Sequence, residues 1–272
     1  MLIALLSAKG SPGVTTAGVA LAAVWPQPAV LADLDPAGGD LAIRYRGPRG
    51  EPLDSDTGLI SLAAALRRGA AAPVADHVQA VGGGLPVLAG VSGPDQLAGI
   101  GPVWQHLART LRQSPTDVLA DCGRVAGGSP AEPVVNAADL VVVLARAAAA
   151  DLAHLRTRLA WLSSRPLAGP VGVVLVAAEG RRSAVATDVA RLIAGAGLPA
   201  AVLGVLALDP RGADALAAAD ALRASRSSLV RSARALAGPL RTAGAASGAP
   251  EAAESAPGLN GSPFPGTPWR VA

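Results

Sequence analysis

The chain has 272 residues, enough for one large domain or two small ones, and 51% of them are hydrophobic. Aromatics make up only 2%, so a core has to be packed from Ala, Leu and Val, and a net charge of +3 does not by itself identify nucleic acid as a partner. Cys122, the only cysteine, excludes an intrachain disulfide and points to a reducing compartment.

Short apolar runs at 2–6, 29–32, 85–88, 118–120, 140–144, 171–176 and 201–206 predict strands. Several are continuous Val/Leu/Ile stretches, the pattern of parallel strands covered on both faces. Between them, Ala-rich segments carrying arginine near 16–24, 58–69, 101–113, 151–164 and 183–195 predict helices. This alternation predicts an α/β fold: a doubly wound, mostly parallel sheet with helices on both faces, occupying residues 1–240. From 241 to 272, Ala, Gly, Ser and Pro dominate, which predicts a disordered tail, with Phe264 and Trp269 among its few large apolar residues. The stretch 17–24 before Trp25-Pro26 imitates a secretory signal, but the residues ahead of Lys9 are apolar, unlike a charged leader. No run of roughly 18 uncharged apolar residues occurs, so the expectation is a cytoplasmic protein without a membrane-spanning helix.

The first run leads into Ser7-Ala8-Lys9-Gly10-Ser11-Pro12-Gly13-Val14-Thr15-Thr16. This reads as a buried strand, a Gly-rich turn, and a helix opening at two threonines. Glycine lets the backbone turn successive N–H groups inward at an anion. The helix N-terminus adds further free N–H groups and the positive end of its dipole. Thr15 places a hydroxyl where a P-loop has its magnesium ligand. The segment resembles the deviant Walker A motif of the ParA/MinD family, with Lys9 matching the signature lysine and Gly10, Gly13, Thr15 and Thr16 the rest. The resemblance implies that Lys9, Gly10, Ser11, Pro12, Gly13, Val14, Thr15 and Thr16 bind ATP, and that Lys9 reaches across a nucleotide-sandwich homodimer to the partner's phosphates. Of 23 basic residues Lys9 is the only lysine. A compact ammonium fits a crowded phosphate loop better than a broad guanidinium.

Three departures accompany the resemblance: Val14 replaces the ordinary P-loop lysine, Ala8 the first glycine and Ser11 the family's second. Losing a charge-assisted contact costs about 1.5–3 kcal/mol, or about 10- to 150-fold in affinity. A cation that stabilises transition-state charge is worth about 10³–10⁵ in rate. The expectation is ATP binding with weak or absent hydrolysis.

Aspartates follow two of the predicted strands, at the sheet edge where α/β proteins bind ligands. Asp33-Leu-Asp35-Pro36 resembles the family's D-x-D-P switch segment, which implies that Asp35 helps organise Mg2+ and the attacking water, while Asp33 orients the switch backbone. The run ending in Asp121 reads as a Walker B strand whose carboxylate holds Mg2+ through water. Metal ligands are therefore expected at Thr15, Asp35 and Asp121. Leu208-Asp209-Pro210 resembles a segment beside the nucleotide base, which makes Asp209 and Pro210 candidate binding residues. The family's adenine-binding asparagine has no counterpart in Val176-Ala177-Ala178-Glu179, so adenine and guanine both stay open. Cys122 reads as a small core residue, and His77, His106 and His154 have no ligand spacing.

Between Asp220 and Glu251 every charge is positive: Arg223, Arg226, Arg231, Arg234 and Arg241. Leu222, Leu229 and Leu236 recur every seven residues, predicting one amphipathic helix with an arginine side. The ParA/MinD resemblance implies docking of such a surface on non-specific DNA or anionic membrane, besides a protein partner. The functional expectation is a nucleotide-dependent dimerisation switch in spatial positioning. A non-catalytic adaptor that localises a pilus or secretion complex is the alternative.

Overall fold

The computed structural model describes residues 1–246 apart from Ser11, Ala70, Ala71, Glu179 and Arg181. Eight strands form one sheet: β1 Leu2–Ser7, β2 Ala29–Asp33, β3 Gln79–Val81, β4 Leu85–Leu88, β5 Asp117–Asp121, β6 Leu140–Arg146, β7 Val171–Ala177 and β8 Ala200–Ala207. Their order is β3-β4-β2-β5-β1-β6-β7-β8. Every pair is parallel except β3–β4. The helices are α1 Val14–Ala22, α2 Leu41–Arg44, α3 Leu59–Arg67, α4 Pro94–Ile100, α5 Trp104–Arg112, α6 Glu132–Ala137, α7 Ala149–Ser163, α8 Arg182–Gly195, α9 Pro210–Ala217, α10 Ala221–Arg226 and α11 Ser228–Ala245.

Alternation along each strand feeds two aliphatic cores. Leu2, Ala4 and Leu6 of β1 join one with α3, α5, α6, α7 and α8. Ile3 and Leu5 point the other way and join α1, α9 and α11. This is the three-layer, doubly wound architecture the periodicity predicted. All seven expected strands form, and Cys122 is a fully buried core residue.

Three differences have local causes. β3, the antiparallel edge strand, is only three residues long, too short for a period to show. The expected single basic helix is two, because Ser227 leaves the helical conformation and its side chain accepts a hydrogen bond from Val230 N to start α11. Arg223 and Arg226 thus lie on α10, while Arg231 and Arg234 lie on α11, and Leu222 is 63% exposed instead of joining the apolar face. Finally, α11 runs to Ala245, past the boundary expected at residue 240. Leu240 is fully buried, Arg241 Nε bonds Asp117 Oδ2 at 3.0 Å, and Gly244 packs so closely on Met1 that a Cβ would collide with its sulfur. The expected tail, with Phe264 and Trp269, lies outside the described residues from 247 onward. No helix among the described residues is long and apolar enough to cross a membrane.

Candidate functional site

Strand order gathers the site. β5 lies between β2 and β1, so the carboxyl ends of these three neighbours carry Asp33, Asp121 and the loop after Ser7. In the ladder Asp33 stands opposite Asp121, which stands opposite Leu5.

The loop leaves β1 pinned on both sides, with Ser7 N donating to Gly123 O at 2.8 Å and Ala8 N to Leu144 O at 3.0 Å. Gly10 and Gly13 both take left-handed conformations, with φ of 68° and 97°, which a side chain at either position would resist. Gly13 is the N-cap of α1 and its carbonyl accepts Ala17 N at 2.8 Å. The amides of the first turn, Val14 to Thr16, therefore have no intrahelical acceptor and are free for an anion. Pro12 is buried, and Ser11 lies outside the described residues. Val14 turns its side chain into the core, where it is 7% exposed.

Thr15 Oγ1 donates to Asp121 Oδ2 at 2.6 Å, joining the helix after the loop to the expected Walker B strand. Asp121 is fully buried, and its other oxygen accepts Gly123 N at 3.0 Å. Burial, with the charges of Asp35 and Asp40, outweighs these hydrogen bonds and pushes its carboxyl up to about 6. Asp33, 1% exposed, is pushed up to about 7 by burial and by Asp121. Its oxygens accept Asp35 N at 3.4 Å and Leu41 N at 3.2 Å, so it fixes the backbone between these two residues. A Cβ on Gly39 would overlap its carboxyl group, and one on Gly90 would collide with its backbone carbonyl. Asp35 is half-buried and also raised, by burial first and Asp40 next, while its Oδ1 accepts Ala37 N at 2.9 Å. Its carboxyl group fills the space that a side chain on Gly123 would need.

Three acids held above their ordinary range at one strand edge form a site that favours an arriving cation. The donor set of one hydroxyl and carboxylates is all hard oxygen, which fits Mg2+. Among the described residues no group of three or more His, Cys, Asp or Glu side chains is gathered to hold a metal ion alone. A magnesium here needs phosphate and water oxygens to complete its shell, which fits arrival with a nucleotide.

Two contacts were invisible in the sequence. Lys9 Nζ lies 2.8 Å from His154 Nε2 on α7, 145 residues away. Arg44, closing α2, donates from Nη1 to Thr16 Oγ1 at 3.3 Å. Asp209, expected near the base, has a structural task. Its Oδ1 accepts Gly212 N at 2.9 Å, and its Oδ2 accepts Ser228 N and Ser228 Oγ at 2.9 Å and Leu229 N at 3.4 Å. One carboxylate thus caps both α9 and α11, and these bonds hold its pKa below the usual value against partial burial. Pro210 is the first residue of α9, where its missing N–H costs nothing. Glu179, in the segment weighed for base choice, lies outside the described residues. The candidate docking arginines Arg223, Arg226, Arg231 and Arg234 are exposed.

No protein-family model and no curated relative matches the chain. Solved structures match its fold. A ParA family ATPase from Chlorobium tepidum TLS superposes with a TM-score of 0.68 at 16% identity, over 87% of this chain and 96% of that one. The septum site-determining protein MinD from Pyrococcus horikoshii OT3, complexed with Mg-ADP, gives 0.64 at 17% identity over 87% and 93%. A Cyanothece McdA variant complexed with ATP gives 0.61 at 16% identity over 93% and 98%. At these identities the likeness establishes the fold: a ParA/MinD-type P-loop architecture with a mostly parallel sheet.

Proposed function

We propose that this chain is a ParA/MinD-like ATP-binding protein that acts as a nucleotide-dependent dimerisation switch in spatial positioning, with weak or absent hydrolysis. The observation that carries the reading is the hydrogen bond from Thr15 to the buried Asp121. It couples a Gly-rich loop and a helix N-terminus to a fully buried acid at the end of an aliphatic strand. That Mg-ADP and ATP are bound by two proteins of the same fold adds support.

The amides of the loop and first turn of α1 would receive the phosphates, with Gly10 and Gly13 supplying the left-handed turns that aim them. Thr15, Asp35 and Asp121 would hold Mg2+, which on binding with ATP supplies the positive charge that these acids and the phosphates share. Asp33 keeps the switch backbone in place through Leu41 and Asp35. Lys9, on the exposed rim of the loop, would leave His154 and reach the phosphates of a second copy. With Val14 at the ordinary P-loop position no lysine stands there, which removes one stabiliser of transition-state charge and supports weak hydrolysis. The exposed Arg223, Arg226, Arg231 and Arg234 offer a docking surface to DNA or anionic membrane, and a protein partner would read the switch.

The adaptor reading, a scaffold that localises a pilus or secretion complex, is favoured by the buried Val14 and by the capture of Lys9 within its own chain. Sizing with and without a non-hydrolysable ATP analogue separates the two. A switch dimerises with the analogue and Lys9→Ala abolishes this, whereas an adaptor keeps one oligomeric state throughout. Turnover of several ATP per second that survives Lys9→Ala would overturn weak hydrolysis.

A further inference from the structure

The buried Val14 leaves the loop without its usual cation in cis, and Lys9 is bonded to His154. Among the described residues, a cation from α2 touches the helix that follows the loop. Arg44 Nη1 donates to Thr16 Oγ1, in the first turn of α1, at 3.3 Å. Its guanidinium carbon lies 5.9 Å from the ring centroid of Tyr45, which is only 2% exposed and so provides a fixed platform. α2 is itself anchored at the site, because Leu41 is fully buried and its N–H donates to Asp33. The carboxylate beside Asp121 therefore also holds the helix that presents Arg44. The neighbouring Arg46 is used differently: its guanidinium folds back onto the carbonyls of Ala42, Ile43 and Tyr45.

We propose that Arg44 is a phosphate-binding residue that supplies, within the same chain, the cation displaced by Val14. The inference rests on the nucleotide-site reading above. A neutral threonine hydroxyl is a modest partner for an exposed guanidinium. A phosphate oxygen arriving at the amides beside Thr16 offers a charge-assisted and bidentate one. Arg44 then moves a short way from Thr16 to the phosphate without leaving Tyr45. Lysine at the same position offers a point charge instead of a planar fork, so the substitution would recover only part of the affinity.

The test is equilibrium binding of Mg-ATP and of inorganic triphosphate to the full chain and to Arg44→Ala, Arg44→Gln and Arg44→Lys. Arg44→Ala and Arg44→Gln should each weaken both ligands by about tenfold or more, the low end for a lost charge-assisted contact. Arg44→Lys should fall between them and the wild type, and all three should melt as the wild type does without ligand. A wild type that binds, with Arg44→Gln binding equally well, overturns the role of Arg44 and leaves the nucleotide site standing. Loss of affinity for ATP but not for triphosphate also overturns it. A wild type that binds neither ligand removes the nucleotide site and this proposal together.

Discussion

Replacing Asp209 with alanine tests whether this residue holds two helices or serves the nucleotide. Its carboxylate accepts donors from Gly212, Ser228 and Leu229, so the substitution orphans N–H groups at the starts of α9 and α11 together. An N-cap replaced by alanine costs about 1 kcal/mol, within a range of about 0.5–2. α11 keeps a second cap in Ser227, whose hydroxyl accepts Val230 N at 3.1 Å, so its share falls at the low end. The sum is about 1.5 kcal/mol. With a urea slope of about 2–3 kcal/mol per molar, the midpoint should drop by about 0.5–0.8 M. Asp209→Asn keeps one acceptor oxygen and should lose less. Urea unfolding by circular dichroism, without ligand, reads the effect, and nucleotide affinity measured in buffer should stay near that of the wild type. An Asp209→Ala protein with an unchanged midpoint but much weaker nucleotide binding would refute the capping argument and restore the role beside the base.

The pH dependence of stability has a definite sign. Asp33 and Asp121 are both raised above their ordinary value of 3.8, to about 7 and about 6, so the folded chain binds more protons than the unfolded one across that window. Their contribution is greatest below about pH 4 and is lost as pH rises toward about 7. Without ligand, the urea midpoint should therefore decline from pH 5 to about pH 8 more in the wild type than in Asp33→Asn, and equal slopes would contradict the assignment. Gly123→Ala forces a side chain onto a left-handed residue, φ 54°, and into the space of the Asp35 carboxyl group. It should cost about 1–2 kcal/mol from backbone strain alone and abolish analogue-induced dimerisation. Calorimetry with sizing checks both, and retention of dimerisation would show that Asp35 need not sit where it does.

Adjacent residues were enough to expose the architecture. Continuous apolar runs such as 140–144 predict covered parallel strands because both faces of β6 meet helices, and Gly10 and Gly13 mark the loop because only a residue without a Cβ turns the chain there cheaply. Asp121 stood out as an acid ending an apolar run. Elements too short to show a period, such as β3 and α2, stayed hidden, and the break at Ser227 was masked by leucines that happened to repeat every seven residues.

What sequence by itself determined, then, is the alternation of strands and helices and the chemistry available at the loop. The partners were decided by tertiary structure. Thr15 meets Asp121 across 106 positions and Lys9 meets His154 across 145 only because β5 and β6 flank β1 in the sheet. Arg44 reaches Thr16 because Asp33 holds the start of α2 at the site, and Asp209 is occupied because it accepts from the first turns of both α9 and α11. A side chain's preferences are local, but its neighbours depend on strand order, which is set by how the whole chain buries its two apolar faces.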